Sequence, residues 1–138
     1  MADVHFAVND PDLDARAVNA LYAAVGWNAV GQRTVEKTRQ MLQMSACHVT
    51  ARTGGELVGF GRILADPYTA QLLDLMIHPA FQRRGVASGI LQRLLAFAEG
   101  KYLGVYLIDG SGLVGFYEHF GFEAANPVTD RLMYWSNL

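Results

Sequence analysis

The stretch from Leu72 to Ile108 constrains the fold more than any other, because an apolar strand passes through a short basic turn into a helix and then into a second apolar strand. Leu72-Leu73-Asp74-Leu75-Met76-Ile77 reads as the end of the first strand. Val86, Ile90, Leu91, Leu94, Leu95 and Ala98 recur at helical spacing up to Gly100, and Val105-Tyr106-Leu107-Ile108 reads as a short buried strand. Strand, helix and strand at this spacing make a right-handed crossover, so the strands ending at Ile77 and Ile108 are expected to be parallel. The turn Gln82-Arg83-Arg84-Gly85 brings two arginines to the helix N-terminus. Unpaired N–H groups and the helix dipole favour an anion there, and oppose cations unless an anion is bound. Gly85, which has no Cβ, lets that anion approach the backbone. A small phosphate-bearing ligand is expected at this turn.

Upstream, Val4 to Val8 reads as a short strand ending at Asn9-Asp10-Pro11, a turn able to start a helix. Ala17, Leu21 and Ala24, with Val18, Tyr22 and Val25 beside them, predict a helix that stops at Gly26. Thr34 is a candidate N-cap for a second helix reaching about Gln43. Cys47 to Arg52, Glu56 to Leu64 and Thr69 to Ile77 are separated by Thr53-Gly54-Gly55 and Asp66-Pro67-Tyr68, which predicts an antiparallel meander. Downstream, Leu113 to Phe120 reads as a short helix closed by Gly121, and a final strand pair is expected at Phe122-Glu123-Ala124 and Leu132-Met133-Tyr134-Trp135. The expected class is α/β in the α+β sense: a mixed, mostly antiparallel sheet with one parallel pair, flanked by helices.

A chain of 138 residues has room for one domain with a real core, here residues 1–138. Hydrophobic residues make up 51% and charged ones only 17%, which argues for a folded apolar interior. A formal net charge of -2 gives no global pull toward nucleic acid or an anionic membrane, so neither is an expected partner. Cys47 is the only cysteine, which excludes an internal disulfide and a multi-cysteine metal site. No His, Asp or Glu cluster has metal-ligand spacing, and no metal is expected. Met1-Ala2-Asp3-Val4-His5 lacks the basic and apolar regions of a secretory leader, and no apolar run reaches membrane-spanning length. A cytoplasmic protein is the expected setting.

The basic turn is not a P-loop, since no Gly-Lys-Ser/Thr follows, nor a dinucleotide fingerprint, since Gly85 and Gly89 have the wrong spacing. Gln82-Arg83-Arg84-Gly85-Val86-Ala87, opening a helix after a strand and Pro79, resembles the acetyl-CoA pyrophosphate loop of the GNAT N-acetyltransferase superfamily. Phe116-Tyr117-Glu118-His119-Phe120-Gly121-Phe122 is similar to that superfamily's second signature, Phe-Tyr-x-x-x-Gly-Phe. Asp74-Leu75-Met76-Ile77-His78-Pro79 resembles its splayed central strand, and Met133-Tyr134-Trp135 its last strand. The order of elements from Val4 to Trp135 matches over nearly the whole chain. Two independent motifs in the right order make the resemblance specific.

The resemblance implies the GNAT acyl-CoA N-acyltransferase fold, with acetyl-CoA and an amine acceptor as partners. It places the pyrophosphate at Gln82, Arg83, Arg84, Gly85, Val86, Ala87 and Ser88. The main chain of Leu75, Met76 and Ile77 would hold the pantetheine amides and the thioester oxygen where a bulge parts the parallel strands. It makes Tyr117, beside the sulfur, the general acid for the departing thiolate. From residue type alone Phe116, Tyr117 and Phe120 read as aromatic packing, and the motif turns Tyr117 toward the site. Asp74 becomes the base, directly or through water, and a contact for the incoming amine; a solvated strand-face carboxylate is the equal alternative. His78 and His119 are weaker candidates, and His5 and His48 read as structural or exposed.

Trp27 and Asn28, with Gln32, lie in the loop that forms the acceptor wall in similar proteins. Asp66, Tyr68, Glu118 and Asp130 are further groups able to attract a cationic amine. Many members carry an Asn ahead of the tyrosine helix, whereas this chain has Asp109-Gly110-Ser111-Gly112. The expected function is acetyl transfer to a small primary amine by direct attack in a ternary complex. The alternatives are a non-catalytic acyl-CoA-binding module and a peptide or protein N-acetyltransferase. Dimers are common among similar proteins, and the apolar segment near Tyr134 is a candidate interface.

Overall fold

The computed structural model describes residues 3–126 and 128–136. The chain divides into two compact units, Met1–Leu107 and Ile108–Leu138. The first holds β1 (His5–Val8), α1 (Ala15–Ala24), α2 (Val35–Met44), β2 (Cys47–Thr53), β3 (Glu56–Ala65), β4 (Thr69–Ile77), α3 (Val86–Ala98) and β5 (Gly104–Tyr106). Its sheet has the order β1-β2-β3-β4-β5. The first three pairings are antiparallel and β4 pairs with β5 in parallel, as the crossover through α3 requires. β5 is shorter than expected, ending at Tyr106 rather than Ile108.

The two faces of β3 show how the layers form. Phe60 packs with Met76 against Val18, Leu21 and Tyr22 of α1, and Leu57 completes that buried cluster. Gly59 and Gly61 point the other way, toward α3, because side chains alternate along a strand. A Cβ at Gly59 would stand 2.9 Å from Ile90, and one at Gly61 3.0 Å from Ile90 and from Leu94. The helix can therefore lie directly on the strand, with Val86, Ile90, Leu91, Leu94 and Ala98 buried beneath it.

α1 starts at the N-cap Asp14, whose side chain accepts from the Arg16 N–H at 2.8 Å, rather than at Asp10-Pro11. Asp10 is used to lock the strand ends instead. Its carboxylate accepts from Thr50 Oγ1 at 2.9 Å, Arg52 Nε at 2.9 Å and the Asp12 N–H at 3.0 Å. Burial alone would raise the carboxyl pKa, but these donors outweigh it and hold the pKa below 3.8. A carboxylate whose folded pKa is lowered stabilises the fold above its unfolded pKa, and that stability is lost as pH falls through the folded value. Asp10→Asn is therefore expected to cost about 1–3 kcal/mol at pH 7. In urea denaturation the gap between wild type and variant should narrow as pH drops below about 3.8; a gap independent of pH would show that the carboxylate's charge contributes nothing.

The second unit contains α4 (Val114–His119), which Gly121 closes at φ 94°. The expected strand pair at 122–124 and 132–135 is absent: no strand occurs in this unit among the described residues. A strand exists only through the ladder it shares with a neighbour, and the apolar run of Leu132 to Trp135 supplies propensity without a partner among the described residues. These four side chains are 71–88% exposed.

Candidate active site

Three features of β4 coincide in its second half. The β5 ladder covers only Thr69, Ala70 and Gln71, so among the described residues nothing pairs as a strand with 72–77 on that edge. On the other edge, Arg62 pairs with Leu73 and Phe60 with Met76, so Asp74 and Leu75 together oppose Gly61 as a bulge. Asp74 itself is left-handed, with φ 57°, a conformation that is costly for a residue other than glycine and is tolerated best by Asp and Asn. The His78 N–H donates to the Val58 carbonyl at 2.8 Å, so residues 78 and 76 face β3. By strand alternation the peptide groups of Ile77 face the open edge. Met76 is fully buried in the α1 cluster, and Leu75 lies on the α3 face near Gly61. These two side chains are packing groups.

The chain leaves β4 through a short 3-10 turn, Pro79–Phe81, and enters α3 by way of two left-handed residues, Arg83 at φ 63° and Gly85 at φ 78°. Gly85 is the N-cap and carries no side-chain bond to the first turn, and a Cβ there would meet nothing within 4 Å. Among the described residues, the peptide N–H groups of 82–88 have no acceptor. Residues 82–85 are exposed, and Arg84 lies over the Phe81 ring at 5.4 Å. The Gln82 side chain donates back to the Ile77 carbonyl at 3.3 Å, tying the turn to the open strand edge. Free N–H groups, left-handed residues and two cations form a cradle suited to a pyrophosphate.

Asp74 is not isolated. Its Oδ2 accepts from Arg62 Nε at 2.7 Å, and both side chains are largely buried. Burial, and then the Asp74 carboxylate, push the Tyr22 phenol well above its ordinary pKa, so Tyr22 stays neutral next to this pair. The loop between α1 and α2 closes over the same tyrosine, with the Arg33 guanidinium 3.5 Å from the ring centroid. Of the two acceptor-wall residues, Trp27 is 45% exposed, whereas Asn28 uses its Oδ1 to accept from the Arg33 N–H at 3.2 Å. Arg62, Tyr22 and Arg33 were not among the sequence candidates. Arg62 left a signal, being a charged residue directly after the apolar, buried run Leu57 to Gly61, where it needs a carboxylate neighbour.

In the second unit Tyr117 is half-buried, with ring contacts to Phe116 at 5.2 Å and Phe122 at 5.8 Å. Burial, and then the charge of Asp109, raise its phenol pKa above 10.0. Asp109 Oδ1 accepts from the Leu113 N–H at 2.9 Å and so shapes the entry to α4, while its buried Oδ2 has no partner. Elsewhere, Cys47 is no nucleophile, because burial pushes its thiol up to about 11.

Comparison with known proteins identifies a family. The model of the Acetyltransferase (GNAT) family matches residues 16–122. Serotonin N-acetyltransferase 2, chloroplastic, from Oryza sativa subsp. japonica is 30% identical over 88% of this chain and 62% of its own length. N-alpha-acetyltransferase RimI from Mycobacterium tuberculosis is 34% identical over 55% of the chain and 51% of its length. The chain thus spans between half and two thirds of these curated relatives. Among solved structures, a GNAT-family acetyltransferase from Streptococcus pneumoniae TIGR4 superposes with a TM-score of 0.81 at 28% identity, over 98% of both chains.

Proposed function

Because the chain belongs to the GNAT acetyltransferase family, we propose that it transfers the acetyl group of acetyl-CoA to a primary amine of a small molecule, working as a single domain over residues 1–138. The observation that carries this reading is the cradle at the start of α3, continuous with a strand edge that has lost its parallel neighbour. The pyrophosphate sits on the N–H groups of Gln82 to Ser88 with Arg83 and Arg84, and the pantetheine arm pairs with the open edge at Leu75 to Ile77. Both partners bind before chemistry, so attack is direct, in a ternary complex.

In that complex the neutral amine attacks the thioester carbonyl, and a C–N bond forms as the C–S bond breaks. The proton lost by the nitrogen goes to Asp74, directly or through water. The departing thiolate takes its proton from Tyr117, which a raised pKa keeps protonated at neutral pH. Main-chain N–H groups at the bulge stabilise the oxyanion. A peptide acceptor is the second reading, supported by the likeness to RimI.

The test is free-CoA release measured over a panel of small amines, polyamines, aminoglycosides, amino acids and peptides. Turnover is expected with small amines and absent with peptides. Peptide turnover alone would replace the first reading with the second, and calorimetry showing no CoA binding would sink both.

A further inference from the structure

The α1–α2 loop places one cation where the proposed chemistry needs none. Arg33 lies flat on Tyr22, 3.5 Å from the ring centroid, and a guanidinium stacked in this way leaves its in-plane N–H groups free. Among the described residues it makes no ion pair and no side-chain hydrogen bond. Asp74 also acts on Tyr22, but its oxygen is held by Arg62 at 2.7 Å. Two guanidiniums and one carboxylate therefore surround this phenol, leaving one positive charge unmatched.

The unmatched charge is rigidly mounted. The Arg33 N–H donates to Asn28 Oδ1 at 3.2 Å, and the Arg33 carbonyl accepts from Asn19 Nδ2 at 3.1 Å. Asn19 is itself fixed by Thr38 Oγ1, which donates to its Oδ1 at 2.6 Å. Asp74 is fixed as well, by Arg62 and by the bulge. Tyr22, on which both charges act, is fully buried on α1. A cation stacked on that ring and a carboxylate that acts on the same phenol complement a molecule that carries an amine and a carboxylate a few bonds apart, and their preorganisation lowers the cost of binding it.

We propose that Arg33 binds the carboxylate of the acceptor, so that the acceptors of this protein are amino acids rather than simple amines, with the amino group directed to Asp74. This rests on the acetyltransferase reading above and narrows its substrate class. Arg33 acts in binding and orientation, not in proton transfer.

The experiment compares L-phenylalanine with phenethylamine, and L-leucine with 3-methylbutylamine, each pair differing only in the carboxylate, in the wild-type chain and in Arg33→Gln and Arg33→Lys. CoA release gives kcat and KM, and calorimetry gives the CoA Kd for each protein. Wild type is expected to favour the amino acid of each pair by about tenfold or more in kcat/KM. Arg33→Gln should reduce that ratio about tenfold, mainly through KM, and Arg33→Lys should restore part of it. An unchanged CoA Kd in the variants would show that the fold and the pyrophosphate cradle persist. A wild-type ratio near or below one, or a ratio that Arg33→Gln leaves unchanged, overturns the assignment while the acetyltransferase reading stands. CoA binding without turnover of either amino acid overturns it too. Failure of the wild type to bind CoA removes the acetyltransferase reading and this inference with it.

Discussion

Gly85→Val is expected to raise the Kd for CoA by at least about tenfold, a loss of about 1.4 kcal/mol or more in binding free energy. The residue sits at φ 78°, so a β-branched side chain strains the left-handed backbone by roughly 1–2 kcal/mol, and the turn that aims the N–H groups at the ligand loosens. A Cβ there meets nothing of the protein within 4 Å, so no internal clash would account for lost binding, and under the proposed function the added atoms crowd the pyrophosphate. Core packing is untouched, so the folding cost should stay near that strain. Calorimetry with CoA, alongside urea denaturation, separates the two effects. An unchanged Kd would show that the turn does not hold the cofactor.

Tyr117→Phe should lower kcat by about a hundredfold while the CoA Kd changes little, because a positioned general acid contributes on the order of 10²–10⁴ in rate. The phenylalanine ring keeps the contacts with Phe116 and Phe122, so stability should shift little. The pH profile gives an independent check. A phenol donates its proton only below its pKa, and this one is raised above 10.0, by burial first and then by Asp109. The donor function should therefore persist up to pH 10, and Asp109→Asn should move its loss to lower pH. A Tyr117→Phe variant with wild-type kcat would remove the residue from the mechanism.

Much of the first unit was legible in the chain. The turn Gln82 to Gly85 is local chemistry: left-handed glycine, adjacent cations and a helix start within a few residues. The stripe of Val86, Ile90, Leu91 and Leu94 and the N-cap Thr34 are equally local, and both stand where the pattern puts them. The bulge was expected within Leu75 to Ile77 and lies at Asp74 and Leu75, sharing only Leu75 with that stretch, because register is set by pairing with β3 rather than by β4 alone. The strand pair at 122–124 and 132–135 failed for a related reason, since β-propensity is a preference that only a neighbouring strand can satisfy.

The candidate residues divide along the same line. The order of strand, turn and helix, the N-cap at Thr34, the exposed basic turn before α3 and the two motifs were determined by the sequence itself, because each depends on contacts spanning fewer than about five residues. The company of Asp74 was decided only by the tertiary structure. Arg62 is twelve positions away on β3, Tyr22 belongs to α1, and Arg33 comes from the loop behind it. No periodicity connects them, since their meeting follows from how the sheet's register and the packing of α1 on its face bring distant segments to one ring. The charge balance around that ring, on which the proposed preference for a carboxylate-bearing amine rests, is a property of the packed layers.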